Sequence, residues 1–199
     1  MQRSVRWLAV AIGMLAVGIV AASIILVLGS QPPHATAAPM PSVEALCNEA
    51  SPAGHFHYRV EQDSMRPTLG PGDVLLIDTD AWRLHRGEIV VFDIGSDMAA
   101  GVVPFIKRAI ALGGDTVEIR DGDVYVNGAA LDEPYVLGRS VPGESRSWSV
   151  TPGTLFVIGD NRNNSTDSRS EAVGLVPVES VLGRAVYRCS PVTRRGALP

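Results

Sequence analysis

The chain has 199 residues, 46% of them hydrophobic, and a formal net charge of −4, room for one membrane segment and one domain of moderate size. Arg3 and Arg6 lie in an acid-free lead, so the rest of the chain is more acidic still. That excludes nucleic acid as a partner, because binding phosphates needs a basic stripe.

Residues 1–6 read as a short cytoplasmic lead. From Trp7 to Leu28 the chain is apolar and uncharged, with Ser23 its only hydroxyl. At about 1.5 Å per residue this run just crosses a hydrocarbon core of ~30 Å. No Lys or Arg follows until Arg59, which predicts a single-pass protein in the lipid bilayer, N-terminus cytoplasmic and remainder extracytoplasmic. A cleaved signal peptide is the competing reading, with Ala35-Thr36-Ala37 as its site. The apolar core is longer than such peptides carry and lies well upstream of that site. Residues 29–54 form a linker, stiffened by Pro32, Pro33, Pro39 and Pro41. Its later part, from Ser42, is either a short helical turn or a lead into the first strand.

An extracytoplasmic domain is expected over residues 55–191, followed by a solvated tail, 192–199. Phe56 to Gln62 alternates, placing Phe56, Tyr58 and Val60 on one face of a strand. Further strands are read at Val74–Ile77, Gly87–Phe92 and Val102–Ile110. A hairpin follows, Thr116–Arg120 and Val124–Val126 around Asp121-Gly122-Asp123, with Asn127-Gly128 after it. Leu155–Ile158 and Val181–Tyr187 complete the set. Short strands, 20 Gly, 14 Pro and no long helical period after the apolar run predict an all-β domain with closed or Greek-key sheets behind one transmembrane helix.

Cys47 and Cys189 stand far apart with no metal-type spacing. Outside the cytoplasm a single disulfide between them is permitted; two unrelated buried thiols are the alternative. No His, Cys and carboxylate cluster has ligand spacing, so neither a metal nor an organic cofactor is expected.

Three stretches carry chemistry. Asp63-Ser64-Met65-Arg66-Pro67-Thr68-Leu69 puts a serine in a proline-stiffened turn. Pro104-Phe105-Ile106-Lys107-Arg108 sets a lysine in an apolar run. Gly159-Asp160-Asn161-Arg162-Asn163-Asn164-Ser165-Thr166-Asp167-Ser168-Arg169 is a polar turn dense in acceptors. A serine hydroxyl needs a base within hydrogen-bond reach. His34, His55, His57 and His85 each lack an orienting acid and an apolar wall. In a strand Phe105 and Lys107 share a face. If that face is buried, desolvation lowers the lysine pKa and frees an amine to take the serine proton. The bland alternatives are a snorkelling lysine and an exposed Asn/Ser loop. Asn164-Ser165-Thr166 also fits a glycosylation triplet, read as incidental.

Together and in this order the three motifs resemble the type I signal peptidases, whose Ser–Lys dyad cuts exported preproteins at the membrane surface. The resemblance implies Ser64 as nucleophile and Lys107 as general base in an acyl-enzyme mechanism that removes signal peptides after small residues. It makes Ser165 the group that orients the lysine amine, and has Asp167 pair with Arg169 or Arg108 to hold the frame. Asp160 steadies the loop. The Ser64 N–H is the first oxyanion donor. Gln62 occupies the place where relatives carry a second donor, and Asp63 the place of a commoner Gly, so the second donor stays open. Gly87-Glu88 stands for a usual Gly-Asp. Met65, Leu69, Phe105 and Ile106, with Val60, are candidates for the shallow pockets that take small substrate side chains; each could equally be core. The partners implied are secretory preproteins, and the chain is expected to act as a monomer. Two rivals remain: a specialised pilus or conjugal-transfer peptidase of the same fold, and an inactive membrane-tethered module that binds preproteins.

Overall fold

A computed structural model describes residues 42–50, 53–80, 83–95, 104–138 and 145–198. The expected lead, apolar span and Pro-rich part of the linker lie outside the described residues. No helix among the described residues is long and apolar enough to cross a membrane.

Among the described residues twelve strands form two antiparallel sheets. In the larger, β1 (His55–Arg59) lies beside β2 (Val74–Asp78), then β11 (Val181–Ser190), β3 (Ile89–Phe92), β4 (Phe105–Leu112), β9 (Thr154–Ile158) and β10 (Val176–Pro177); β12 (Gly196–Ala197) also pairs with β11. The smaller runs β7 (Ala129–Ala130), β6 (Asp123–Val126), β5 (Thr116–Arg120), β8 (Arg146–Ser149). The all-β expectation therefore holds for the described residues. Both hairpin turns of the smaller sheet place two residues at positive φ, Asp121 (50°) with Gly122 (87°) and Asn127 (53°) with Gly128 (81°). That is the twist that joins adjacent strands without splaying them.

β3 is buried on both faces, and the core divides accordingly. Ile89 and Val91 join Val60, Met65, Leu69, Leu75, Ile77 and Ile106 in one cluster. Val90 and Phe92 pack with Leu155 and Val157 on the other side. A third cluster fills the space between the two sheets, with Ile110 and Phe156 against Val117, Ile119, Val124 and Val126.

Several boundaries differ from expectation, β4 reaching Leu112 and β11 reaching Ser190 among them, and three differences have a clear cause. The first strand ends at Arg59 rather than Gln62, where the regular ladder gives way to the turn before β2: Val60 N–H donates to Asp73 O (2.9 Å) and its carbonyl accepts from Gly72 (2.9 Å). The linker's end is already part of the fold. Ser42 caps α1 (Val43–Leu46), and Leu46 is buried against Leu76 and Cys189. Cys47 and Cys189 are joined as a disulfide, Cα atoms 5.4 Å apart. Nor are residues 192–198 a solvated tail. Arg194 pairs with the fully buried Asp73, Arg195 Nε donates to Cys189 O (3.0 Å), and Leu198 packs on the core. An internal acid and a strand edge in need of partners hold the segment down.

Candidate functional site

The serine turn is pinned from below. Met65 and Leu69 are wholly buried, and Leu69 N–H donates to Met65 O (2.8 Å), closing one helical turn around the intervening residues. Met65, Leu69 and Val60, expected in substrate pockets, are packed together in one core cluster. All three are buried, Val60 being only 1% exposed, so the turn is anchored through its apolar residues. Ser64 itself is 5% exposed.

β4 supplies the lysine. Lys107 pairs in register with Val90, is 2% exposed, and brings Nζ to 2.9 Å from Ser64 Oγ. Nζ also donates to Ile106 O (2.9 Å) and lies 5.5 Å from the centre of the Phe105 ring. Burial lowers its pKa from 10.5 to about 8; the charge of Asp167 pulls the other way but does not win.

Arg108, the next residue, serves the frame. Its Nε and Nη2 grip Asp160 Oδ1 and Oδ2 (2.9 and 2.7 Å), and Nη1 donates to Gly87 O (2.6 Å). Thr68 of the serine turn also donates to Asp160. Asn161 ties loop and turn again, through its N–H to Ser64 O (2.9 Å) and its amide to Asp63 O (3.2 Å). The partner of Asp167, left open between two arginines, is Arg169 (Nε 2.8 Å, Nη2 2.8 Å), and Gly159 N–H donates to it as well (3.0 Å). Burial pushes the Asp167 carboxyl up, but the Arg169 guanidinium and the Gly159 N–H outweigh it and hold it below the usual range.

Gly159 needs its lack of a side chain. A Cβ there would stand 2.3 Å from Ser165 Oγ and 2.5 Å from Ser64 O. Ser165 Oγ is buried beside the Asp167 carboxylate, whose pKa it helps to lower, and makes no close hydrogen bond to Lys107 Nζ. Among the described residues no group accepts from the Ser64 N–H.

Two hollows flank the pair. One of about 480 Å³ is lined by Ser64, Asp63, Phe105, Asn164, Ser165 and Thr166. The other, about 170 Å³, is lined by Tyr58, Glu61, Pro104, Phe105, Ile106 and Lys107. Gln62 is exposed and borders both. Phe105 and Ile106, but not the other expected pocket residues, therefore line a surface open to a ligand. Among the described residues no three His, Cys, Asp or Glu side chains gather as a metal site.

Sequence reasoning missed a second brace. The loop Leu131–Gly138 lays Tyr135 over the Arg108 guanidinium, whose central carbon is 3.9 Å from the ring centre. Glu133 pairs with the buried Arg162 (3.0 Å to Nη1), and Leu137 N–H donates to Asp160 O (2.8 Å). The signal was the pair Asp132-Glu133 before Pro134-Tyr135, an acid and an aromatic in a loop otherwise read as a connection.

Residues 53–190 match the family model described as signal peptidase, peptidase S26. The chain belongs to the signal peptidase S26 family. It is similar to a probable signal peptidase I-2 of Synechocystis sp., 44% identical over 144 residues, covering 70% of this chain and 65% of that protein. It also resembles a probable signal peptidase I-1 of the same organism, 38% identical over 149 residues, covering 70% and 73%. A solved signal peptidase I from Enterococcus faecalis is 31% identical and covers 51% of this chain and 96% of that one, with a TM-score of 0.41. The S26 match takes in the serine turn, β4 and the 159–169 loop alike.

Proposed function

We propose that this S26 member is a membrane-anchored serine endopeptidase that removes N-terminal signal peptides from exported preproteins, with Ser64 as nucleophile and Lys107 as general base. The observation that carries the reading is the 2.9 Å approach of Nζ to Oγ inside a water-poor pocket. A neutral Lys107 takes the hydroxyl proton as Oγ attacks the scissile carbonyl, then returns it to the departing amine. Water, deprotonated by the same amine, releases the acyl group from Ser64. The developing oxyanion is met by the Ser64 N–H, with the exposed Gln62 amide within range of both hollows as a second donor. The buried Asp160–Arg108 and Asp167–Arg169 pairs keep lysine and serine in register. The apolar run at residues 7–28 holds the domain on the outer face of the bilayer, where a monomer suffices.

The test is cleavage of a model preprotein bearing an Ala-x-Ala site by detergent-solubilised full-length protein, beside Ser64→Ala and Lys107→Ala, across pH 6–10. Activity lost in both variants is expected. Activity that survives Lys107→Ala at neutral pH sinks the dyad; a wild type that binds the preprotein without cutting it makes the chain a binding module.

A further inference from the structure

The serine turn is held a second time, by charged groups the bond-breaking steps do not use. Thr68 is fixed at both ends: its hydroxyl donates to Asp160 in the 159–169 loop, and its carbonyl accepts from Arg188 Nη2 of β11. Two residues on, the N–H of Gly70 donates to Asp73 Oδ2 (3.1 Å). Asp73 is wholly buried and pairs with two arginines, Arg188 (Nε at 3.3 Å) and Arg194. Arg188 Nη1 in turn donates to Arg194 O (3.3 Å), and β12 sets Gly196 opposite Arg188. Leu198 packs on the cluster that contains Met65 and Leu69. The segment after β11 therefore reaches the serine turn by way of one buried carboxylate, and Arg194 lies beyond the residues that match the S26 model.

A buried carboxylate between two guanidiniums is a costly way to fasten a chain segment, because each charge must be stripped of water. What it supplies here is direction. Arg188 presents a planar fork to Asp73 and to Thr68 O together, so a shift of the turn loosens both contacts. We propose that Arg188 and Arg194, acting through Asp73, are positioning residues for Ser64, fixing its turn so that Oγ stays within reach of Lys107 Nζ. The effect on rate rests on the Ser64–Lys107 reading. Asn161 also holds the turn, through Ser64 O and Asp63 O, so releasing the arginines leaves the turn attached but able to move. Displacement of about 1 Å at Oγ costs up to around a hundredfold in rate. Neither arginine lines the two hollows beside Ser64, so the loss belongs in kcat rather than KM.

The experiment compares full-length wild type in detergent with Arg194→Gln, Arg194→Lys and Arg188→Gln on a preprotein bearing an Ala-x-Ala site. Hydrogen exchange is followed in parallel at the amides of Leu69 and Asn161, which donate to Met65 O and Ser64 O and so report on the turn. In Arg194→Gln kcat is expected to fall about tenfold with KM within about twofold, and in Arg188→Gln to fall further. Exchange at Leu69 and Asn161 should quicken while β5 and β6 hold, and Arg194→Lys, which keeps the charge, should recover most of both readouts. Arg195→Gln is the control: it sits in the same segment but holds Cys189 O and Glu44, and should match wild type in both. Unchanged kcat and exchange in Arg194→Gln overturn the proposal, as does exchange that quickens equally in both sheets, or a fall that Arg195→Gln reproduces. If Arg188→Gln does not fold, the two Arg194 variants decide. Quickened turn amides with no cleavage by wild type leave the brace assigned and remove the peptidase; cleavage at full kcat in both Arg194 variants does the reverse.

Discussion

At the scale of single residues, burial of Lys107 links activity to stability. With its pKa at about 8, the amine is mostly protonated at pH 7, so kcat/KM should rise through an acid limb centred near that value. A pH profile flat from 6 to 9 would show that another group takes the proton. The same shift costs stability. Unfolded lysine titrates near ~10.4, so between about 8 and ~10.4 the unfolded chain binds the extra proton and stability climbs with pH. Below about 8 the full cost of the buried cation remains. Lys107→Met should therefore be inactive yet more stable at pH 7, by roughly 3 kcal/mol if the pocket closes well. Its advantage should shrink as pH rises toward 10. Thermal melts of both proteins across that range check this, and a variant less stable than wild type at pH 7 would refute it.

Among the elements, the serine turn, β4 and the 159–169 loop are joined through a few buried groups, and damage to any one should misplace the others. Gly159→Ala pushes a methyl onto Ser64 O and Ser165 Oγ. Displacement of about 1 Å at a reacting group costs around a hundredfold in rate. The expected result is a kcat down by about that factor with circular dichroism unchanged. Asp160→Ala takes the carboxylate away from Arg108, 1% exposed, which should cost about 3–5 kcal/mol in a denaturation curve. Much of this machinery was legible in the sequence. Ser64, Lys107 and the acceptor-rich loop stand in runs whose residue types need one another, and strands with clear alternation, β1 and β5 among them, fall close to where the pattern put them. What escaped was decided by pairing rather than by local pattern. β7 and β10 are two residues each and exist because a neighbouring strand offers them partners. Burial of Met65 and Leu69 follows from the direction a turn faces, which composition does not encode. The choice of Arg169 over Arg108 for Asp167 was a matter of three-dimensional reach.

For the whole molecule, the disulfide fastens the segment entering the domain to the strand that ends it, across 142 positions. Chain-entropy reasoning puts the effect of so long a closure at roughly 5 kcal/mol as an upper figure. Replacing both Cys47 and Cys189 by Ala should lower Tm by many degrees and abolish the effect of reductant on it; an unchanged melt would mean the crosslink contributes nothing. The large sheet has a further bearing on how this chain can vary. β4 is clamped between β3 and β9, and Lys107 and Arg108 leave it on opposite faces. One is an amine whose pKa burial lowers to about 8, the other a planar guanidinium that grips a carboxylate with two donors. Loss of a single residue ahead of Lys107 would slide the strand by one, setting Arg108 before the serine and Ala109 where Asp160 needs a guanidinium. Changes of length are thus tolerable in the connections but not along β4, where spelling and spacing are a single constraint.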